Sequence, residues 1–290
     1  MKLSLETNNL SERFGDLKAF ELIKEAGFDS IDMSYPKFNG KTSIKDSPYY
    51  GSDYLEYAYK LRAKLDSLGL TCVQAHAPVV FRYGDSFSKE SESYRQILCS
   101  LESASILGAK YIVVHAIGVP EGVNLAEYNR EYYHSFIPYC EKFNIKIGVE
   151  NLPVYNGFGQ PWGERFGLPD NLSAFVKSLN QDYFVACIDL GHAALTYELA
   201  EKFIADTEGS IIKLLHVQEC DFVRDSHTLP FLGGFNWKAI LKNLKNKGYD
   251  GDLSFEIFKY FYYFPDELIP EALRLAGKTG RYLIDLYQKL

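Results

Sequence analysis

A single α/β domain spanning residues 1–290, built as a (β/α)8 TIM barrel, is the fold that this sequence predicts. Three observations predict it. Eight short runs rich in Val, Ile and Leu recur along the chain, stretches of helical periodicity lie between them, and no low-complexity linker or composition break divides the 290 residues. A barrel of this type typically needs about 250 residues. Several runs are continuously apolar, as expected of parallel strands buried on both faces. A doubly wound open sheet is the alternative. No Gly-x-Gly-x-x-Gly follows the first run and no Gly-x-x-x-x-Gly-Lys-Ser/Thr loop occurs, so no nucleotide cofactor is expected by those routes.

The candidate strands lie near residues 2–6, 29–34, 70–76, 110–116, 145–150, 184–189, 211–217 and 252–258. They are short and bounded by turn residues. Between the first two, Leu17, Phe20, Leu22, Ile23 and Ala26 carry helical spacing that stops at Gly27. Leu55, Ala58, Leu61, Leu65 and Leu68 form a cleaner stripe closed by Gly69. Ile97, Leu101, Ala104 and Leu107 precede Gly108, and Ile240, Leu241 and Leu244 precede Gly248. Glycine suits the left-handed residue after a helix. The repeated order of helix, glycine and strand is that of right-handed βαβ units. Residues Pro265 to Leu290 read as one or two closing helices. Three connections exceed the usual length: 35–52, 151–169 and 218–236. All follow the C-terminal ends of strands, where a barrel builds its active site.

The composition is 47% hydrophobic and 24% charged, ample for a large core. The net charge of −7 leaves no basic footprint, which disfavours a nucleic-acid partner. Lys37, Lys41 and Lys45 sit in the first long loop, among acidic and aromatic residues. The five cysteines include no Cys-x-x-Cys and read as reduced core residues. The first residues lack a signal-peptide stretch, and no run approaches the ~18 apolar residues of a membrane helix. A soluble cytoplasmic protein without a membrane partner is expected, and a homo-oligomer is left open. The 22 Tyr and 20 Phe suit either core packing or an aromatic-lined pocket.

Five of the six histidines stand at or just beyond the ends of apolar runs: His76, His115, His192, His216 and His227. Three carboxylates hold similar places, namely Glu150, Asp189 and Glu256. Carboxylate oxygen and imidazole nitrogen together suit a divalent metal such as Mn, Zn, Co or Mg. Glu150, Asp189, His216 and Glu256 come from strands five to eight, whose ends converge on one axial spot. His76 and His115 are read either as pocket-lining core histidines or as further ligands. Asp225-Ser226-His227 either ligates a second metal, holds His216, or caps a turn. His134, between Tyr133 and Ser135 on a helix, is read as structural.

Val149-Glu150-Asn151, Ile188-Asp189-Leu190-Gly191-His192, His216-Val217-Gln218, Arg224-Asp225-Ser226-His227, Asn236-Trp237 and Phe255-Glu256 resemble motifs of the xylose isomerase-like barrel superfamily. That superfamily includes sugar isomerases and epimerases, inosose and 3-dehydroshikimate dehydratases, and endonuclease IV. The resemblance runs from His76-Ala77-Pro78 to Glu256 and is weak for any one activity. It implies Glu150, Asp189, His216 and Glu256 as ligands of one metal, with Glu150 and Glu256 also as the catalytic carboxylates. It further implies substrate contacts from His192 and Arg224, to which His76 and the loop aromatic Trp162 are added. The nine ligand types of the three-zinc endonuclease also have counterparts: the same four residues with His76, His115, His192, Asp225 and His227. Two departures stand out. The family's Gly-Glu-Gly before the eighth unit is Leu232-Gly233-Gly234 here, and no glutamate follows closely on Glu150.

The function implied first is a divalent-metal-dependent isomerase or epimerase acting on a small-molecule carbohydrate, a sugar or sugar phosphate, by proton transfer through a metal-stabilised enediolate. The alternatives are an endonuclease IV-like three-zinc AP endonuclease and an inosose- or 3-dehydroshikimate-type dehydratase.

Overall fold

The computed structural model describes residues 1–38, 40, 43–81, 84–156 and 158–290; Lys41 of the first long loop lies outside them. Among the described residues ten strands are formed: β1 (Leu3–Glu6), β2 (Ser30–Ser34), β3 (Thr71–His76), β4 (Tyr111–Val113), β5 (Lys146–Glu150), β6 (Leu152–Tyr155), β7 (Pro161–Arg165), β8 (Phe184–Asp189), β9 (Ile212–His216) and β10 (Leu253–Phe255). Eight of them form one parallel sheet in the order β10-β1-β2-β3-β4-β5-β8-β9. The barrel closes between β9 and β10 through a parallel bridge, Val217 to Phe255. There the Val217 amide donates to the Ser254 carbonyl at 2.7 Å and the Glu256 amide to the Val217 carbonyl at 3.1 Å. All eight barrel strands fall where the apolar runs predict them.

β4 and β10 are shorter than the runs suggest, at three residues each. The chain leaves the sheet there to enter a loop. His115 and Glu256 therefore stand just past their strands.

Four helices end at the glycines that the sequence marks: Asp16–Glu25, Tyr54–Leu68, Glu92–Leu107 and Trp237–Asn246. Gly27, Gly69, Gly108 and Gly248 all take positive φ, from 61° to 95°. At Gly69 the left-handed cap returns its amide to the Asp66 carbonyl, and Leu70 to that of Leu65, which turns the chain into β3. The chain ends in one long helix, Ile269–Lys289, whose buried face includes Gly277 and Gly280.

The segment 151–169 is the main surprise. It reads as an irregular loop, but β6 and β7 form an antiparallel hairpin with Leu152 opposite Arg165 and Pro153 opposite Glu164. Prolines and glycines hide this in the sequence. A two-stranded ribbon is all edge, and proline is tolerated on edges.

Alternation along the barrel strands places the site. On β8, Val185 and Cys187 join Val113 and Leu214 in a small apolar cluster. Gly148 of β5 faces the same cluster, since a methyl on it would lie 2.5 Å from Leu214 Cδ1. Two residues further along each strand, on the same face, come His115, Glu150, Asp189 and His216. An apolar plug thus forms the floor beneath the polar strand ends.

Gly277 tests how closely the last helix must approach the barrel. A methyl group there would lie 2.1 Å from the Ala26 carbonyl oxygen. Alanine favours a helix over glycine by about 1 kcal/mol, but overpacking of this kind costs about 1–3 kcal/mol. Gly277→Ala is expected to lose up to about 2 kcal/mol net, read from the midpoint of urea unfolding. A higher midpoint contradicts this packing.

Candidate active site

The strand ends surround a cavity of about 690 Å³. His76, His115, Glu150, His192, Asp225, His227 and Glu256 all line it, as do Glu6, Tyr155 and Arg165. Ligand-type atoms of Glu150, Asp189, His216 and Glu256 lie within 4.8 Å of one another, and all four side chains are buried. His216 Nδ1 stands between the two glutamates, 3.1 Å from Glu150 Oε1 and 3.5 Å from Glu256 Oε2. Two further groups meet the same limit: His76 with Glu150 and His216, and His192 with Asp225 and His227.

Local sequence explains these placements. Asp189 ends β8 and caps the helix Leu190–Tyr197 directly, accepting from the His192 amide at 2.6 Å. That turn carries His192 back over Glu150, with Nδ1 at 3.3 Å from Oε1. Gly191 is needed because the Gln218 amide lies 2.2 Å from where a Cβ would stand. Gln218 Nε2 donates to Asp189 Oδ1 at 3.1 Å and to Asp225 Oδ1 at 2.9 Å, joining two of the ligand groups. His227 adopts φ of 38°, a left-handed backbone uncommon outside glycine. Its Nε2 meets Asp225 Oδ2 at 2.9 Å, and its Nδ1 donates to the Glu256 carbonyl at 3.0 Å.

The electrostatics divide the two glutamates. Burial opposes ionisation of Glu150, but the neighbouring His216 and His115 outweigh it and hold the carboxyl well below its usual range. Burial pushes Glu256 well above that range; the charges of Glu150, Asp189 and Glu6 add to this, against the opposing effect of His216. Burial also lowers His115 to about 4, so this imidazole is neutral at pH 7. Burial likewise opposes ionisation of Asp225, but His227 and His192 hold it well below the ordinary carboxylate range.

Two predicted substrate contacts lie elsewhere. Trp162 is 80% exposed on β7, and Arg224 is exposed on the bend 222–224; neither lines the cavity. Exposure at a loop tip is not visible in residue type. His134 is exposed at the end of the helix Leu125–His134, away from the cavity.

The structure adds residues that strand-end inspection passes over. Glu6 ends β1 beside Asp32 in register, and its Oε2 is buried without a partner. Asp32 Oδ2 accepts from Gln74 Nε2 at 2.5 Å and Ser254 Oγ at 3.0 Å, and lies 3.6 Å from His216 Nε2. Glu219 accepts from the amides of Phe231, Gly233 and Gly234 and from the Trp237 indole. It gathers the loop that lacks the family's Gly-Glu-Gly. Glu6 already stood at a strand end in the sequence, so the same signal could have found it.

A family model described as a xylose isomerase-like TIM barrel matches residues 20–278. The chain belongs to that family. It is 29% identical over 262 residues to a 2-oxo-tetronate isomerase of Haemophilus influenzae, covering 84% of this chain and 89% of the relative. It is 28% identical over 165 residues to an uncharacterised protein of Methanocaldococcus jannaschii, and that match spans 54% of each chain. Among solved structures it resembles a D-tagatose 3-epimerase-like protein, with a TM-score of 0.71 and 21% identity over 100% of this chain and 99% of the other. It also resembles the IOLI protein solved with a zinc atom, with a TM-score of 0.69 and 18% identity over 99% of each chain.

Glu6 supplies a pH test. Burial, with the charge of Asp32, raises its carboxyl to about 8. The unfolded chain releases that proton above about 4.5, whereas the folded chain keeps it to about pH 8. The folded state therefore binds the extra proton in this window, and stability falls as pH rises through it. Glu6→Gln removes the effect. Urea unfolding in the presence of a chelator is expected to show the wild type losing up to a few kcal/mol more than the variant between pH 5 and pH 8. Parallel profiles would show that Glu6 ionises freely.

Proposed function

We propose that the protein is a divalent-metal-dependent isomerase or epimerase of a small carbohydrate. The observation that carries this reading is the set of buried ligand-type atoms converging at the strand ends. Asp189 Oδ2 and His216 Nε2 have no hydrogen-bond partner, and Glu150 Oε2 and Glu256 Oε2 make no well-aligned hydrogen bond with the imidazoles beside them, His115 at 2.9 Å and His216 at 3.5 Å. Buried carboxylates are costly unless paired or bound to metal. Three carboxylates and an imidazole around one point fit a hard or borderline divalent cation. Glu150, Asp189, His216 and Glu256 would hold it. When bound, such a cation supplies Lewis acidity that disperses negative charge on the substrate oxygens.

The side chains then divide the proton work. Glu150 removes the proton α to a ketose carbonyl, and Glu256 returns one from the other side of the cluster. The two belong to the outer strands of the set β5, β8, β9 and β10 and so flank the reacting carbon. His192 lies between Glu150 and Asp225, 3.6 Å from the latter, where it can hold a substrate oxygen. The floor of Val113, Cys187 and Leu214 excludes water from below. The relationship to a 2-oxo-tetronate isomerase supports this class of chemistry.

A multinuclear phosphodiesterase is the second reading, favoured by the extra group of His192, Asp225 and His227. Against it, Gln218 and Lys259 both donate to Asp225, and an ammonium beside a carboxylate disfavours a second cation there. About one metal per chain supports the isomerase; about three, with cleavage of an abasic oligonucleotide, supports the nuclease.

Glu150→Gln and Glu256→Gln are each expected to lower turnover of a ketose or 2-oxo-tetronate substrate by at least about 10²-fold. Each variant should retain deuterium exchange from solvent on at most one face of the substrate carbon, read by NMR. Full exchange in both variants overturns the assignment.

A further inference from the structure

The cavity is chemically lopsided. Glu6 and Glu256 stand on the β1 and β10 side. On the other side, over the ends of β4 and β5, stands Arg165. The hairpin puts it there, since pairing with Leu152 brings Arg165 back to within two residues of Glu150. Its Nη1 donates to the Ala116 carbonyl at 3.0 Å, and its Nε is buried with no partner. Among the described residues, no carboxylate lies within ion-pair distance of the guanidinium.

A role confined to pinning the hairpin would use the Nη1 bond alone. It leaves unexplained a largely buried cation, set in the cavity wall, with donor capacity to spare. Guanidinium has five donors in a planar fork that matches an oxyanion at two points. Lys37, the other cation of the cavity wall, already donates to the Val80 carbonyl at 3.4 Å.

We propose that Arg165 receives an oxyanion at one end of the substrate, so that the substrate is an acid-terminated ketose rather than a neutral sugar. The identification of the other end as a ketose rests on the isomerase reading above. In this orientation the charged terminus lies against β7, the reacting carbons lie between Glu150 and Glu256, and the remaining hydroxyls face Glu6. A carboxylate and a phosphate monoester share the required chemistry, and the test separates them.

The test uses three ligands that cannot react by proton transfer: a four-carbon aldonate, a tetritol 1-phosphate and the uncharged tetritol. Calorimetry on the purified full chain is expected to show at least one charged ligand binding at least about tenfold more tightly than the tetritol, with the preferred one identifying the oxyanion. Arg165→Met should abolish the preference, and Arg165→Lys should keep part of it. Equal affinities for all three ligands overturn the proposal. So does a charge preference that survives in Arg165→Met, which would place the oxyanion elsewhere. If Arg165→Met does not fold, the proposal stands or falls on Arg165→Lys, where an unweakened preference counts against it. These outcomes are independent of turnover, so a failure of the isomerase reading would show separately, in the Glu150→Gln and Glu256→Gln exchange measurements.

Discussion

The carboxylate of Glu150 is the point on which the site depends. It is 1% exposed, and four imidazoles surround it: His115 at 2.9 Å, His216 at 3.1 Å, His192 at 3.3 Å and His76 at 3.7 Å. An isolated carboxylate at that depth would carry a desolvation cost of several kcal/mol. The imidazoles offset it. His76 Nδ1 donates to the Ala77 carbonyl at 2.7 Å, and His192 Nδ1 also lies 3.1 Å from the Asn151 carbonyl. These two rings are thereby fixed by backbone as well as by charge. Asn151 locks the pair of strands from which Glu150 and Asp189 project: its amide donates to the Asp189 carbonyl at 3.0 Å, and its Oδ1 accepts from the Asp189 amide at 2.8 Å.

This arrangement keeps two chemically identical residues apart in protonation. Glu150 has imidazoles as its nearest partners. Glu256 has His216 and His227, each 3.5 Å from its Oε2, and otherwise sees the negative charges of Glu150 and Asp189. Position in the sheet order contributes to the difference, because β5 adjoins β4, beyond whose end His115 stands. Two residues of the same type therefore differ in protonation without a special sequence around either.

Strand ends were readable in the sequence for the same reason. Buried parallel strands give apolar runs, and barrel closure requires their last inward-facing residues to meet. Reading the ends of the runs thus brought out Glu150, Asp189, His216 and Glu256, which the fold does place together. The hairpin was not readable, because its strands contain Pro153, Pro161 and Gly163 and pair only with each other. Arg165 was hidden with it. Gln218 and Glu219 were passed over because they act after a strand ends, on groups distant in sequence. Trp162 illustrates the converse: an aromatic in a long loop near the mouth need not face the cavity.

On the proposed function, the division between the sheet and the hairpin also separates reaction from recognition. Glu150, Asp189, His216 and Glu256 belong to neighbouring barrel strands or to the residue just beyond one, so their relative positions are set by the sheet. Arg165 belongs to a ribbon that continues from β5, packs on the helix Leu190–Tyr197 and touches the Ala116 carbonyl. A change in that ribbon alters which end group the cavity meets without moving the strand ends. Glu6 acts from the opposite side, where β1 is held on both edges by β10 and β2. On the proposed function, the cavity offers hydroxyls an end built on the sheet and charge an end built on the ribbon, with Glu150 and Glu256 between them.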